Sequence, residues 1–269
     1  MSGPDDKAGD TDHDGLPRHG PVRADLGKES LRPPLPKRFY KVASAVEHER
    51  GFAVTLDGRP VLTPAKARLV VPASALASAI AAEWNAQGQR IDPASMPLTR
   101  LANTTLDAVA GSLPAVAADI VAFAGNDLLC YRADAPAELV AQQAAAWDGI
   151  LAWAAEDLGA RFIATIGIRH VEQPRAATEA IARAISSFDA WQLAPVHVLT
   201  TLTGSALLAL GVARGRSTVE AAWTAAHVDE DWQVAHWGED AEATVRRQHR
   251  STEMAAAARF LALVRSKPA

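Results

Sequence analysis

The spacing of apolar side chains along the chain changes twice, near residue 38 and again after Pro72. Between them, apolar residues alternate or cluster over strand lengths in Arg38-Phe39-Tyr40-Lys41-Val42, Gly51-Phe52-Ala53-Val54-Thr55-Leu56 and Ala67-Arg68-Leu69-Val70-Val71. Asp57-Gly58 offers the left-handed backbone that a two-residue hairpin turn needs, and Arg59-Pro60-Val61-Leu62 leads the chain back. Pro60 and Pro64 cannot donate to a ladder, so this return strand is expected to be short or at an edge. The pattern predicts a small antiparallel sheet. Beyond Pro72 the spacing is helical: Leu76, Ile80 and Trp84 stand four apart on one face, which is expected to cover one side of that sheet.

From Ser95 onward almost everything reads as helix. Leu98, Leu101, Ala102, Thr105 and Val109 form one stripe closed by Gly111, and a second helix is expected over 112–123. Trp147, Ile150, Leu151, Ala154 and Leu158 form another, closed by Gly159. Phe162-Ile163-Ala164-Thr165-Ile166 is the exception, a short strand predicted to return to the sheet. Helices resume near Arg175, with breaks expected around Pro195, Gly215 and Gly238. The fold class is therefore α+β: residues 37–95 as a small N-terminal antiparallel sheet with a covering helix, and 96–269 as a larger helical bundle. Residues 1–36, rich in Asp, Gly and Pro and ending in Arg32-Pro33-Pro34-Leu35-Pro36, are expected to be a disordered tail.

Composition narrows the function. The 269 residues are 49% hydrophobic, enough for one large core or two modest ones. Lys plus Arg number 27 against 31 Asp plus Glu, so no cationic field for nucleic acid is present. A single cysteine, Cys130, excludes an internal disulfide and any multi-cysteine metal site. The first residues carry Asp5, Asp6, Asp10, Asp12 and Asp14, unlike a basic transit peptide, so no targeting peptide is expected, and the single cysteine fits a reducing compartment. The apolar run from Val196 to Ala213 is broken by His197, Thr200, Thr201, Thr203 and Ser205; it reads as a buried helix without membrane insertion.

Motifs for catalysis are missing. No G-x-x-x-x-G-K-[ST] loop occurs, and Gly211-Val212-Ala213-Arg214-Gly215-Arg216 follows a helix rather than a strand. No G-x-S-x-G elbow occurs either, since Gly204-Ser205-Ala206 lies in an apolar helix. The one polar cluster is His227, Asp229, Glu230, Asp231, His236, Glu239 and Asp240. His227 and Asp231, four apart, could share a metal from one helix face, and with Glu239 they define a metal-dependent enzyme as the alternative function; a solvated acidic face explains the same residues.

Winding 219–237 at ~100° per residue puts Val219, Trp223, Ala226, Val234 and Trp237 on one stripe with Glu230 in its middle. Such a carboxylate must be paired, protonated or turned toward a partner protein. Arg247 and Arg250, on the stripe of Met254, Ala257 and Leu261, are its candidate counter-charges. Trp153 and Trp232 fall ~120° or more from their own stripes, so each packs on a second helix or stands exposed as an interface anchor. Gly238 is expected to end one helix, with Glu239 and Asp240 opening the next.

Six strings then occur in one order: Arg38-Phe39-Tyr40-Lys41, Leu56-Asp57-Gly58-Arg59-Pro60, Ala82-Glu83-Trp84, Met96-Pro97-Leu98-Thr99-Arg100-Leu101-Ala102-Asn103-Thr104, Asp127-Leu128-Leu129-Cys130-Tyr131-Arg132 and Trp232-Gln233-x-x-x-Trp237-Gly238. Together, from Arg38 to Phe260, they resemble the F-type ATP synthase assembly chaperones that bind the α subunit of the catalytic sector. The resemblance implies a chaperone, without catalytic residues, cofactor or metal, that holds unassembled α subunit and shields its β-facing surface. The family's acidic, tryptophan-bearing motif falls on Glu230, Gln233, Trp237, Gly238, Glu239, Asp240 and Glu242, and Trp153 and Trp232 join them as candidate client contacts. A general protein-binding scaffold is the remaining alternative. Physically the role is coherent: a ring subunit before assembly exposes apolar faces that aggregate, and holding it takes complementary surface rather than catalysis.

Overall fold

The computed structural model describes residues 34–265, so the tail expected over 1–36 lies outside the described residues as far as residue 33. Strands β1 (Ala43–His48) and β2 (Gly51–Leu56) form an antiparallel hairpin in the register Ala43 opposite Leu56 and His48 opposite Gly51. At Asp57 (φ 48°) and Gly58 (φ 79°) the chain turns through two left-handed residues, as the Asp-Gly pair predicts. The return strand β3 is only Arg59–Pro60, at the sheet edge as the prolines require, and β4 (Val70–Val71) pairs with the other end of β2.

The strand expected over 38–42 does not form. That segment is drawn instead to the loop after the first helix: Arg38 N donates to Gln89 O at 2.9 Å, and the Arg38 guanidinium donates to the carbonyls of Tyr40, Lys41, Asn85 and Gln87. Helix α1 (Ser74–Asn85) buries Leu76, Ala77 and Ile80 and packs against β1 and β2, as expected.

The helical part begins with α2 (Pro97–Thr104), whose stripe does not run on as an α-helix to Gly111. A π-turn over Thr105–Val109 inserts a residue there and aims Asp107 at the sheet, where it accepts from Thr63 Oγ1 (2.6 Å) and Ala65 N (3.0 Å). Then follow α3 (Leu113–Gly125), a 3₁₀ turn over Leu128–Cys130, β5 (Tyr131–Arg132), α4 (Ala137–Asp157), β6 (Thr165–Ile166), α5 (Arg175–Ile185), α6 (Ala190–Thr203), α7 (Ala206–Ala213), α8 (Val219–Ala226), α9 (Val228–Trp237) and α10 (Ala241–Arg265). Strand β6 exists but does not return to the sheet; it pairs in parallel with β5 alone.

Pro195 does not break a helix. It sits inside α6, whose start is fixed by the Asp189–Gln192 capping box, and the helix ends instead at left-handed Gly204 (φ 65°). The apolar run through Ala213 is thus two helices, and α7, buried from Ala206 to Gly211, lies at the centre of the bundle with α3, α4, α6, α8 and α10 around it. Leu113–Cys130 has the length and apolar content of a bilayer span, yet α3 stops after 13 residues, short of the ~20 such a span needs, and buried Asp127 follows. One continuous apolar core runs from Tyr40 under the sheet to Leu261 in α10.

Candidate functional site

Helix α8 stops at His227 (φ −119°, ψ 19°) and α9 starts anew at Val228. That break resets the helical phase. The stripe wound through 219–237 is therefore not continuous: Trp237 is 73% exposed and the Glu230 side chain 54% exposed, not buried in its middle. Neither expected partner reaches Glu230. Arg247 pairs with Asp231, Arg250 donates to Leu202 O at 2.7 Å, and the nearest basic group to Glu230 is His227 Nε2 at 3.8 Å.

Gly238 (φ 87°, ψ 173°) adopts a conformation that a side chain would strain, and it ends α9 after Trp237. Asp240 then caps α10, accepting from Ala243 N at 2.7 Å, so the expected helix end and helix start are both found. Between α9 and α10 opens a groove of about 520 Å³. Glu230, Gln233, Trp237, Glu239 and Asp240, five of the predicted contacts, line it together with Val234, Ala243, Thr244 and Arg247. Glu242 stands beside the groove and pairs with Arg246 at 3.3 Å.

Trp232 lies outside the lining. Its ring stacks on His236 (4.0 Å between centroids) and meets Trp237 edge-on at 5.3 Å, while its Nε1 is buried with no partner among the described residues. Trp153 is not on the surface: at 6% exposure it belongs to the core, on a helix that packs against α7, α8 and α9. Sequence reasoning missed Val234, Ala243 and Thr244 and gave Arg247 a different partner. Their common signal, a three-residue link over 238–240 that lets α9 and α10 line one groove, is legible only once Gly238 is known to turn the chain.

Charge within the groove is mostly negative. Asp229 is engaged elsewhere, accepting from Gln143 Nε2 of α4 at 2.7 Å, and Asp231 faces Arg247. The side chains of Gln233 and Glu239 are exposed and make no hydrogen bond to any of the described residues. His227 is 2% exposed, its Nδ1 bonded to Trp223 O at 2.8 Å and its ring 3.8 Å from that of Trp223. Burial holds its pKa below the usual histidine value against the opposing pull of the Trp223 carbonyl and Glu230. The trio His227, Asp231 and Glu239 does not converge, and among the described residues no group of three or more His, Cys, Asp or Glu could hold a metal ion. That removes the geometric basis of the metal-enzyme alternative.

A small sheet with a covering helix on a helical bundle, bearing an open, aromatic and acidic groove and no metal cluster among the described residues, has the features of a protein-binding molecule. The family model described as ATP12 chaperone protein matches residues 37–155. Among solved structures, a putative chaperone from Agrobacterium tumefaciens is 46% identical with a TM-score of 0.84, covering 88% of this chain and 89% of its own. Atp12 from Paracoccus denitrificans is 41% identical with a TM-score of 0.82, covering 86% of this chain and 99% of its own. A mutant of the same Paracoccus protein matches equally well. The chain belongs to the ATP12 chaperone family, the ATP synthase assembly chaperones; it is a chaperone and not an enzyme.

Proposed function

We propose that this chain holds the unassembled α subunit of the F-type ATP synthase catalytic sector and that the α9–α10 groove covers part of its β-facing surface. The observation that carries this reading is the exposed Trp237 beside Gln233 and Glu239, polar groups that no described residue satisfies. A large aromatic ring exposed beside polar groups free to bond a partner has the form of an interface anchor, and aromatic anchors rimmed by polar groups dominate protein interfaces. Desolvated charge pairs at such a groove are worth about 2 to 5 kcal/mol, or roughly 30-fold to several-thousand-fold in affinity.

The test replaces Glu239 and Asp240 together with Lys, and separately Trp237 with Ala, and measures capture of purified α subunit. Both variants are expected to lose most binding while circular dichroism stays near wild type. Undiminished capture by both would move the client surface away from this groove.

A further inference from the structure

A second concavity, of about 530 Å³, lies between β3 and the segment leading into β1, and it shares no lining residue with the α9–α10 groove. Tyr40 and Trp84 line it, their rings edge-on at 5.6 Å, and Phe39 lies edge-on to Tyr40 at 5.5 Å. At its mouth Phe39 is 74% and Leu62 51% exposed, two large apolar side chains left in water beside a well-filled core. Trp84 Nε1 is buried there with no hydrogen-bond partner among the described residues.

The electrostatics are opposite in sign to those of the groove. Arg59 is the one cation and Asp57 the one acid in the lining, and Lys41 and Arg38 both act on Asp57. The Asp57 carboxylate is engaged by the amides of Lys41 and Val42 at 2.9 to 3.1 Å. Arg59 lines the pocket, and the Arg38 guanidinium stands 4.6 Å over the Tyr40 ring. The size suits one or two apolar side chains, and the basic rim favours a segment whose flanks carry carboxylates.

We propose that this pocket is a second docking site for the client subunit, taking an apolar side chain bordered by Asp or Glu; the inference rests on the client reading given above. Two surfaces of opposite charge on one holder fix the client in a single orientation, and two modest contacts on one client add as avidity. No bond to the bundle depends on Leu62 or Arg59, so the site can be altered without touching the groove.

The experiment titrates the full-length chain against purified, unassembled α and β subunits separately, comparing wild type with Leu62→Asp, Arg59→Glu and Trp237→Ala, with melting curves and sedimentation on each. Leu62→Asp and Arg59→Glu are expected to weaken α binding by about tenfold or more, the Arg59→Glu effect shrinking as salt rises, with melting unchanged. Affinity within about twofold of wild type for both, while Trp237→Ala weakens binding, would overturn the pocket and leave the groove standing. Binding of β alone, sensitive to the pocket variants, would support the pocket and overturn the α assignment. No binding of either subunit by wild type sinks both ideas. A Leu62→Asp change that alters only self-association would show that a second copy sits in the pocket, which also overturns it.

Discussion

Two regions of this molecule use polar side chains in opposite ways. Where the sheet, α1, α2 and the 127–132 turn meet the bundle, several charged and polar groups point inward and are engaged mainly by backbone. Glu83 of α1 accepts from Leu98 N and Thr99 N at 2.8 Å each and from Thr99 Oγ1 at 2.7 Å, which closes the open amides at the start of α2. Asp127 is buried, accepting from Leu129 N at 3.2 Å and Leu207 N at 3.1 Å, and so joins the 3₁₀ turn to the first turn of α7. Arg132 donates to Leu129 O and Asp148 beside the Trp147 ring. Along α9 and α10, by contrast, Gln233, Glu239 and Trp237 face water. Five of the six strings behind the family resemblance thus build the fold, and the sixth, around Trp232 and Trp237, builds a surface.

The contrast can be broken most sharply at Asp127. Asp127→Ala leaves several amides at the start of α7 without acceptors, and a loss of about 3 to 5 kcal/mol is expected in denaturant melts. A loss under about 1 kcal/mol would mean that water replaces the carboxylate. Glu83→Gln sets an amide donor against Thr99 and is expected to cost about 2 kcal/mol, roughly 4 to 8 °C in melting temperature.

The third effect depends on pH. Desolvation pushes Asp127 up to about 6 from its ordinary value of 3.8, despite hydrogen bonds from Ser205, Leu207 and Leu129. A carboxyl whose folded pKa is raised contributes stability that is complete below its unfolded pKa and is lost as pH rises through about 6. The stability gap between wild type and Asp127→Asn should therefore widen as pH falls from 7.5 to 5, by about 1 to 1.5 kcal/mol. A gap independent of pH would place the titration elsewhere.

The smallest expected effect on stability belongs to the other region. Trp237→Ala should change unfolding free energy by no more than about 0.5 kcal/mol, because the ring is already mostly in water. A fall of 2 kcal/mol or more would show that Trp237 supports the α9–α10 turn rather than a client.

Much of this was legible in the sequence because local chemistry decides it. The Asp57-Gly58 turn, the Leu76, Ile80 and Trp84 face, the Gly238 stop and the Asp240 cap each depend on residues a few positions apart. The candidate groove was legible as a motif but not as a shape: five of its lining residues were anticipated, whereas Trp153, for which spacing left packing on a second helix and exposure both open, is packed and is no part of it. Pro195 within α6 and the π-turn after Thr104 show the same limit, since neither feature follows from helical spacing.

What the sequence determined by itself is the α+β class, the amphipathic faces and the family, since backbone preference and apolar periodicity act over one or two turns of chain. Tertiary structure alone decided which of those faces stayed open. Whether Glu230 is buried depends on a helix break at His227, and Trp153 is buried on a helix that packs against α7, α8 and α9, contacts made across long stretches of chain that no local spacing encodes.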